Sequence, residues 1–316
     1  MVQVFWLTLQ KVCMMLLFAA VGFALRRGKL LPEKSGRVLS VLCASVFLPA
    51  YTFRQLHASM TPDTLREDGF LALAGLLWFL GLVPVAYLLR RLLGKSPEEK
   101  ATLTYLFIFS NYGYFGYPVV EGVFGKDVLG KFFLFLLPFS IAINSFGYYL
   151  FMEHKGGPGK VALELVKTPL IWGLLLGMAT GLLRLPLPGP VSDVVDGAAA
   201  CMSPCSMLLA GFLLGGYPLK YLFRGRKGYL IVFLRMLALP AAGLGICLLL
   251  RLKGYYLLFP AVMLCMPVAL NTVIFPESRG HDASENARMV CQSTLLTLVT
   301  LPPAFALISY LAGELV

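Results

Sequence analysis

Apolar stretches of roughly 18 to 25 residues recur from one end of the chain to the other, separated by short polar connections rich in Lys, Arg, Gly and Pro. Folded as α-helices, such stretches each cross about 30 Å of hydrocarbon. The pattern predicts ten helices, near 4–25, 38–57, 70–90, 102–124, 130–151, 167–183, 194–216, 229–250, 255–275 and 286–311. Strict alternation over short strands, the mark of a membrane β-barrel, is missing from these runs. The first helix lacks a basic start and a small-residue cleavage site, so it reads as a span and not as a cleaved leader. The fold class expected is therefore an all-α polytopic membrane protein.

Composition agrees with the pattern. The 316 residues are 58% hydrophobic and 14% charged, where soluble domains carry about 25% charged residues. The net charge of +11 comes from Lys and Arg placed between spans. There they set topology and meet anionic lipid headgroups, which argues against a nucleic-acid partner. Basic residues crowd the connections after the odd-numbered helices, among them "RRGKLLPEKSGR" and "YPLKYLFRGRKG". This places those connections in the cytoplasm and both termini on the other side of the cell membrane. All seven cysteines fall inside apolar segments and read as small hydrophobes without a metal or disulfide pattern. No phosphate loop, nucleophile triad or carboxylate pair is present, so neither an enzyme nor a cofactor is expected.

Ten spans divide into two sets of five, 1–151 and 167–316, across the connection 152–166. With an odd number per half, the second half is inverted relative to the first, a construction that recurs in secondary transporters. The fourth and ninth helices carry the internal echo: "GYPVVEGVFGKD" beside "CMPVALNTVIFPESRGHD". Both also break their own pattern. "SNYGYFGYP" puts Asn111, Gly113, Gly116 and Pro118 at mid-span, and Pro267 with Asn271 does the same later. Proline removes a backbone donor and glycine eases unwinding. Irregular backbone at membrane depth survives only when buried in protein or lining a wet cavity. Two broken helices crossing at one point would aim half-helix N-termini at a common site, which suits an anion without any Lys or Arg.

Around that site the residues expected to hold substrate are Asn111, Tyr112, Gly113, Gly116, Tyr117 and Pro118, with Met266, Pro267 and Asn271 opposite. Ser45, Asn144 and Ser203 are further polar residues within reach of mid-membrane. Glu121, one turn past Pro118, and Gln292 are candidates for ion or proton coupling, as are the backbone carbonyls of the crossing. Coupling to Na+, coupling to H+ and uncoupled transport stay open. Lys11 and Arg235 lie close to their helix starts and read as snorkelling to the interface.

These segments resemble the auxin efflux carrier superfamily. "NYGYFGYPVVEGVFG" is similar to its fourth-helix signature, and "MPVALNTVIFPESRGHDASENARMVCQSTLLTLVTLP" to its ninth and tenth helices. "FLPAYTFRQL" and "TPLIWGLLLGMATGLLRLPLP" fit as well, so the resemblance runs over the whole chain, with a short central connection like that of compact bacterial members. It implies two inverted five-helix repeats with broken crossover helices 4 and 9, the fold of sodium–bile acid symporters. It also implies a scaffold of helices 1, 2, 6 and 7, and a mobile transport unit of helices 3–5 and 8–10. The implied activity is elevator-type transport of a small organic anion, a mono- or dicarboxylate. Asn271 is a departure from the family pattern and leaves the substrate open. A ligand sensor on the same fold and a sodium-coupled symporter of another organic acid are the alternatives, and monomer or homodimer is undecided.

Overall fold

Leucine-rich sequence in hydrocarbon has one economical solution, because every backbone N–H and C=O must be satisfied within the segment. The computed structural model, which describes residues 1–151, 166–277 and 281–313, is helical throughout among those residues except for one isolated bridge. The helices are α1 (Val2–Arg27), α2 (Ser35–Ser59), α3 (Phe70–Leu93), α4 (Pro97–Ile108), α5 (Tyr112–Gly147), α6 (Pro169–Leu182), α7 (Gly189–Gly215), α8 (Arg226–Leu249), α9 (Tyr255–Cys265), α10 (Asn271–Glu277) and α11 (Ser284–Ala312). Seven of them, α1, α2, α3, α5, α7, α8 and α11, are long and apolar enough to cross a membrane, and α6 and α9 are shorter apolar helices. The outward faces are apolar too: Leu17, Leu77, Val194, Leu249 and Val299 are all more than 60% exposed. Water would penalise such a surface, whereas lipid accepts it. The protein is an all-helical, multi-pass membrane protein. Most of the expected connection 152–166, with His154, lies outside the described residues.

Proline placement explains the local irregularities. A proline inside a helix leaves the carbonyl four residues earlier without its donor and crowds it. The turns Cys43–Phe47, Tyr112–Gly116 and Leu234–Ala238 are all widened π turns, and each ends two residues before a proline: Pro49, Pro118 and Pro240. The extra residue per turn moves the crowded carbonyl aside. At Pro118 the carbonyl concerned, Tyr114 O, accepts a hydrogen bond from Ser206 Oγ on α7 at 3.0 Å. Pro118 therefore sits at the start of regular helix. The chain unwinds at the start of the expected stretch 110–118, at Phe109–Asn111, where Phe109 is extended (φ −107°, ψ 130°). The second break, Met266–Leu270, falls where Pro267 predicts it.

Gly125 divides α5. Its φ of +87° interrupts an otherwise helical run and turns the chain between the segments expected as the fourth and fifth helices. Beyond it, Phe132, Phe135 and Phe139 are fully buried and stack among themselves and on Phe259 of α9.

Polar contacts between connections sort into two groups. In one, Arg27 Nη2 donates to Tyr217 O at 2.5 Å, Tyr217 Oη to Glu277 Oε1 at 2.7 Å and Tyr221 Oη to Glu285 Oε1 at 3.0 Å, and Lys227 pairs with Glu99. In the other, Arg184 meets Asp63 at 2.6 Å, Lys131 meets Asp68 at 2.9 Å and Gln55 Nε2 donates to Lys126 O at 2.9 Å. The first group joins connections that follow odd-numbered predicted helices, and the second joins connections that follow even-numbered ones and the helix ends beside them, at Gln55 and Lys131.

Candidate functional site

The two breaks meet. Asn111 N–H donates to Pro267 O at 2.9 Å, and Ser110 and Val268 form an antiparallel bridge. The second strand of the crossing and the helix after it are braced from behind: Val268 N–H donates to Ser293 Oγ of α11 at 3.1 Å, and Asn286 Nδ2 donates to Thr272 O at 2.7 Å. Gly116 keeps the approach close, since a side chain there would press on Met266 at 3.2 Å. Unwound backbone inside a membrane protein is tolerated where it is buried in protein or lines a cavity, and these hydrogen bonds satisfy part of it.

A cavity of about 300 Å³ opens beside the crossing. Ser45, Leu48 and Thr52 of α2 form one wall, and Lys167, Thr168 and the start of α6 form another. The floor is Ser110, Asn111, Tyr112, Gly113 and Tyr117, with Ala269, Leu270 and Asn271 facing them. Asn111 is 4% exposed, and its carboxamide does not cap the helix that follows. Asn271 Nδ2 donates to Tyr105 Oη at 3.2 Å. Three buried hydroxyls of the lining, Thr52 Oγ1, Ser110 Oγ and Tyr112 Oη, have no hydrogen-bond partner among the described residues. A buried hydroxyl left unpaired costs about 1–3 kcal/mol, so three around one cavity point to an occupant with polar atoms. The amides of Tyr112, Gly113 and Tyr114 open α5 and precede its first internal acceptor. Among the described residues, none that lines the cavity is acidic.

Of the residues expected from the sequence, Ser45, Asn111, Tyr112, Gly113, Tyr117 and Asn271 line this cavity together. Gly116, Pro118, Met266 and Pro267 are placed at the crossing but do not line it. The Asn144 side chain lies outside the described residues; its neighbour Ile143 is in the lining. Ser203 is turned towards α1, its Oγ 3.5 Å from Met15 Sδ. Gln292 donates to Leu222 O at 3.0 Å, capping a short helix away from the cavity. Glu121 accepts from Tyr51 Oη at 2.6 Å and faces Arg54 at 3.9 Å, an ion pair that links α2 to α5.

Two cations change the expected picture. Lys167 is in the lining of a site expected to contain no cationic residue. Arg235 does not snorkel: it is 1% exposed and donates to backbone carbonyls in the interior. Lys11 lays its stem over Gly122. Thr52, Ser110 and Lys167 went unnoticed in the sequence. The available signals were Thr52 in the turn after Pro49, Ser110 beside Asn111, and a lysine at the very start of the sixth helix.

Outside the spans, Glu277 is the group with an informative charge state. Burial raises its carboxyl above the ordinary range, opposed by the hydrogen bond from Tyr217 and by Arg26. A raised folded-state value means stability is fullest below the ordinary carboxylate pKa and falls as pH rises through the raised one. The thermal midpoint should therefore decline as pH rises above the ordinary glutamate value of about 4.3, and Glu277→Gln should flatten that decline. Superimposable pH profiles of the two proteins would refute this assignment.

Known proteins resemble this chain along its whole length. A family described as "Membrane transport protein" matches residues 7–157 and 158–304. An uncharacterized transporter of Methanothermobacter thermautotrophicus is 25% identical over 306 residues, covering 95% of this chain and 98% of its own. An uncharacterized transporter of Methanocaldococcus jannaschii is 24% identical over 299 residues, covering 92% and 95%.

Proposed function

The chain belongs to the membrane transport protein family, that of the auxin efflux carriers, and on this premise we propose that it carries a small mono- or dicarboxylate through the cavity at the helix crossing. That it is a membrane transporter and not an enzyme follows from the family. The substrate class is our reading, and one observation carries it. Among the described residues, the cavity presents the hydroxyls of Thr52, Ser110 and Tyr112 and the carboxamides of Asn111 and Asn271, and no carboxylate. Hydroxyl and amide donors next to the N-terminal end of α5 favour an anion. The volume of about 300 Å³ suits a small one.

The architecture we propose is ten spans in two inverted repeats, residues 1–151 and 167–316, joined by 152–166. Three observations support it: the family match divides between residues 157 and 158, the two breaks pair antiparallel, and the connections fall into two contact groups. The more basic group faces the cytoplasm of the cell membrane in this arrangement, with both termini outside.

Helices α1, α2, α6 and α7 would form the scaffold and the remainder the moving unit, in an elevator-type cycle. The cavity lies on that boundary, with α2 and α6 on one side and the crossing on the other. Tyr51, Arg54 and Gln55 reach across it to Glu121 and to Lys126 O. In this reading Glu121 is a contact between units, and any proton coupling would run through it.

Counterflow in liposomes tests the function. Vesicles holding the purified protein and loaded with unlabelled malonate, succinate or benzoate should accumulate the same labelled acid, and protein-free vesicles should not. Equal traces from both kinds of vesicle for a broad panel of carboxylates would reject the proposal.

A further inference from the structure

Arg235 occupies a π turn of α8 and is buried to 1% in a segment apolar enough to cross a membrane. A charge in that position needs compensation, because desolvating an ion costs several kcal/mol. No carboxylate of the described residues supplies it. Arg235 Nε instead donates to Leu106 O at 2.8 Å, and Nη1 donates to Leu264 O at 2.6 Å. Leu106 is in the last turn of α4, and Leu264 is in the last turn of α9. These are the two helices that stop at the crossing, with 12 and 11 residues respectively.

The arithmetic of charge is suggestive. The last four carbonyls of a helix have no internal donor, and a C-terminus carries about half a negative charge. Two C-termini brought together sum to about one negative charge in a medium that screens little. The guanidinium contributes one positive charge and a planar fork of donors, which reaches both ends at once.

We propose that Arg235 is a built-in counter-cation of the crossing, a guanidinium held between two helix C-termini where a bound monovalent cation would otherwise be needed. The inference is independent of which anion enters the cavity. It has a consequence for coupling: Leu106 O and Leu264 O already accept from Arg235, so these carbonyls are not an open Na+ site. It also predicts that deleting the side chain leaves a vacancy with the charge and shape for free guanidinium.

The test compares purified wild type, Arg235→Ala, Arg235→Gln and Arg235→Lys by thermal unfolding in choline chloride, with and without low-millimolar guanidinium chloride, far below denaturing concentrations. Arg235→Ala should unfold several degrees lower than wild type and recover at least half of the loss with guanidinium, while wild type does not respond. Arg235→Lys should fall between them. Arg235→Gln, which can donate hydrogen bonds but has no charge, should be as unstable as Arg235→Ala. A Gln variant as stable as wild type, or an Ala variant that guanidinium does not rescue, overturns the proposal. Should the Ala variant not survive purification, the order of Lys and Gln decides: Lys above Gln supports a counter-cation, and Gln equal to or above Lys refutes it.

Discussion

Asn111→Ala is expected to cut carboxylate uptake by roughly 10- to 100-fold while leaving the thermal midpoint of the unliganded protein nearly unchanged. The magnitude follows from a hydrogen bond to a charged partner, worth about 1.5–3 kcal/mol, with each 1.4 kcal/mol a factor of ten. The separation of the two effects follows from geometry. Asn111 holds the crossing with its backbone, donating to Pro267 O and accepting from Phe115 and Gly116 N–H. Its side chain faces the cavity and makes no helix cap. Alanine keeps the backbone contacts and removes the amide alone. Asn111→Asp should be worse than alanine, since it adds a negative charge where the substrate's charge would sit. Uptake by reconstituted vesicles, normalised to inserted protein, measures both, and undiminished uptake by the alanine variant would remove Asn111 from the site.

The second large effect concerns stability. Gly211→Leu should lower the thermal midpoint by about 5 °C or more, measured by unfolding in detergent with the wild type alongside. α1 and α7 cross at backbone contact: a Cβ at Gly211 would overlap the Ala19 carbonyl, and a Cβ at Gly22 would overlap Leu208 O. Gly211 and Gly215 are spaced as in Gly-x-x-x-Gly packing faces. In lipid no hydrophobic gain draws helices together, so close packing and small residues supply the association. A leucine cannot rotate away from a backbone atom, and the helices must separate. An unchanged midpoint would show that α1 and α7 are not packed this closely.

How much of this was legible in the sequence depends on which residues oppose each other in space. Helix lengths and the basic bias of connections were readable because they are local: a run of 20 apolar residues has one use, and a lysine cluster has a preferred side. The breaks are readable as a pair, and the stretch 110–118 contains the first, but the chain unwinds at the start of that stretch, Phe109–Asn111, and not at Pro118. A π turn and the hydroxyl of Ser206 absorb the cost of Pro118, and Ser206 is 92 residues away. Arg235 was misread for the same reason. Near a helix start, a lone arginine resembles an interfacial one, and its true partners, Leu106 and Leu264, lie 129 and 29 residues away. The cavity was half legible. Asn111 and Asn271 announce themselves as amides in apolar sequence, whereas Thr52 and Lys167 matter only because α2 and α6 fold over the crossing.

The central claim, that the crossing is a carboxylate site, is tested most directly by thermal unfolding of the wild type and Asn111→Ala with malonate, succinate and benzoate, each beside its neutral amide. A ligand that binds the native state raises the midpoint by mass action. The account predicts that at least one acid stabilises the wild type, that its amide does not, and that Asn111→Ala loses the response. Stabilisation by acid and amide alike, a response that survives in Asn111→Ala, or none from any acid would contradict it.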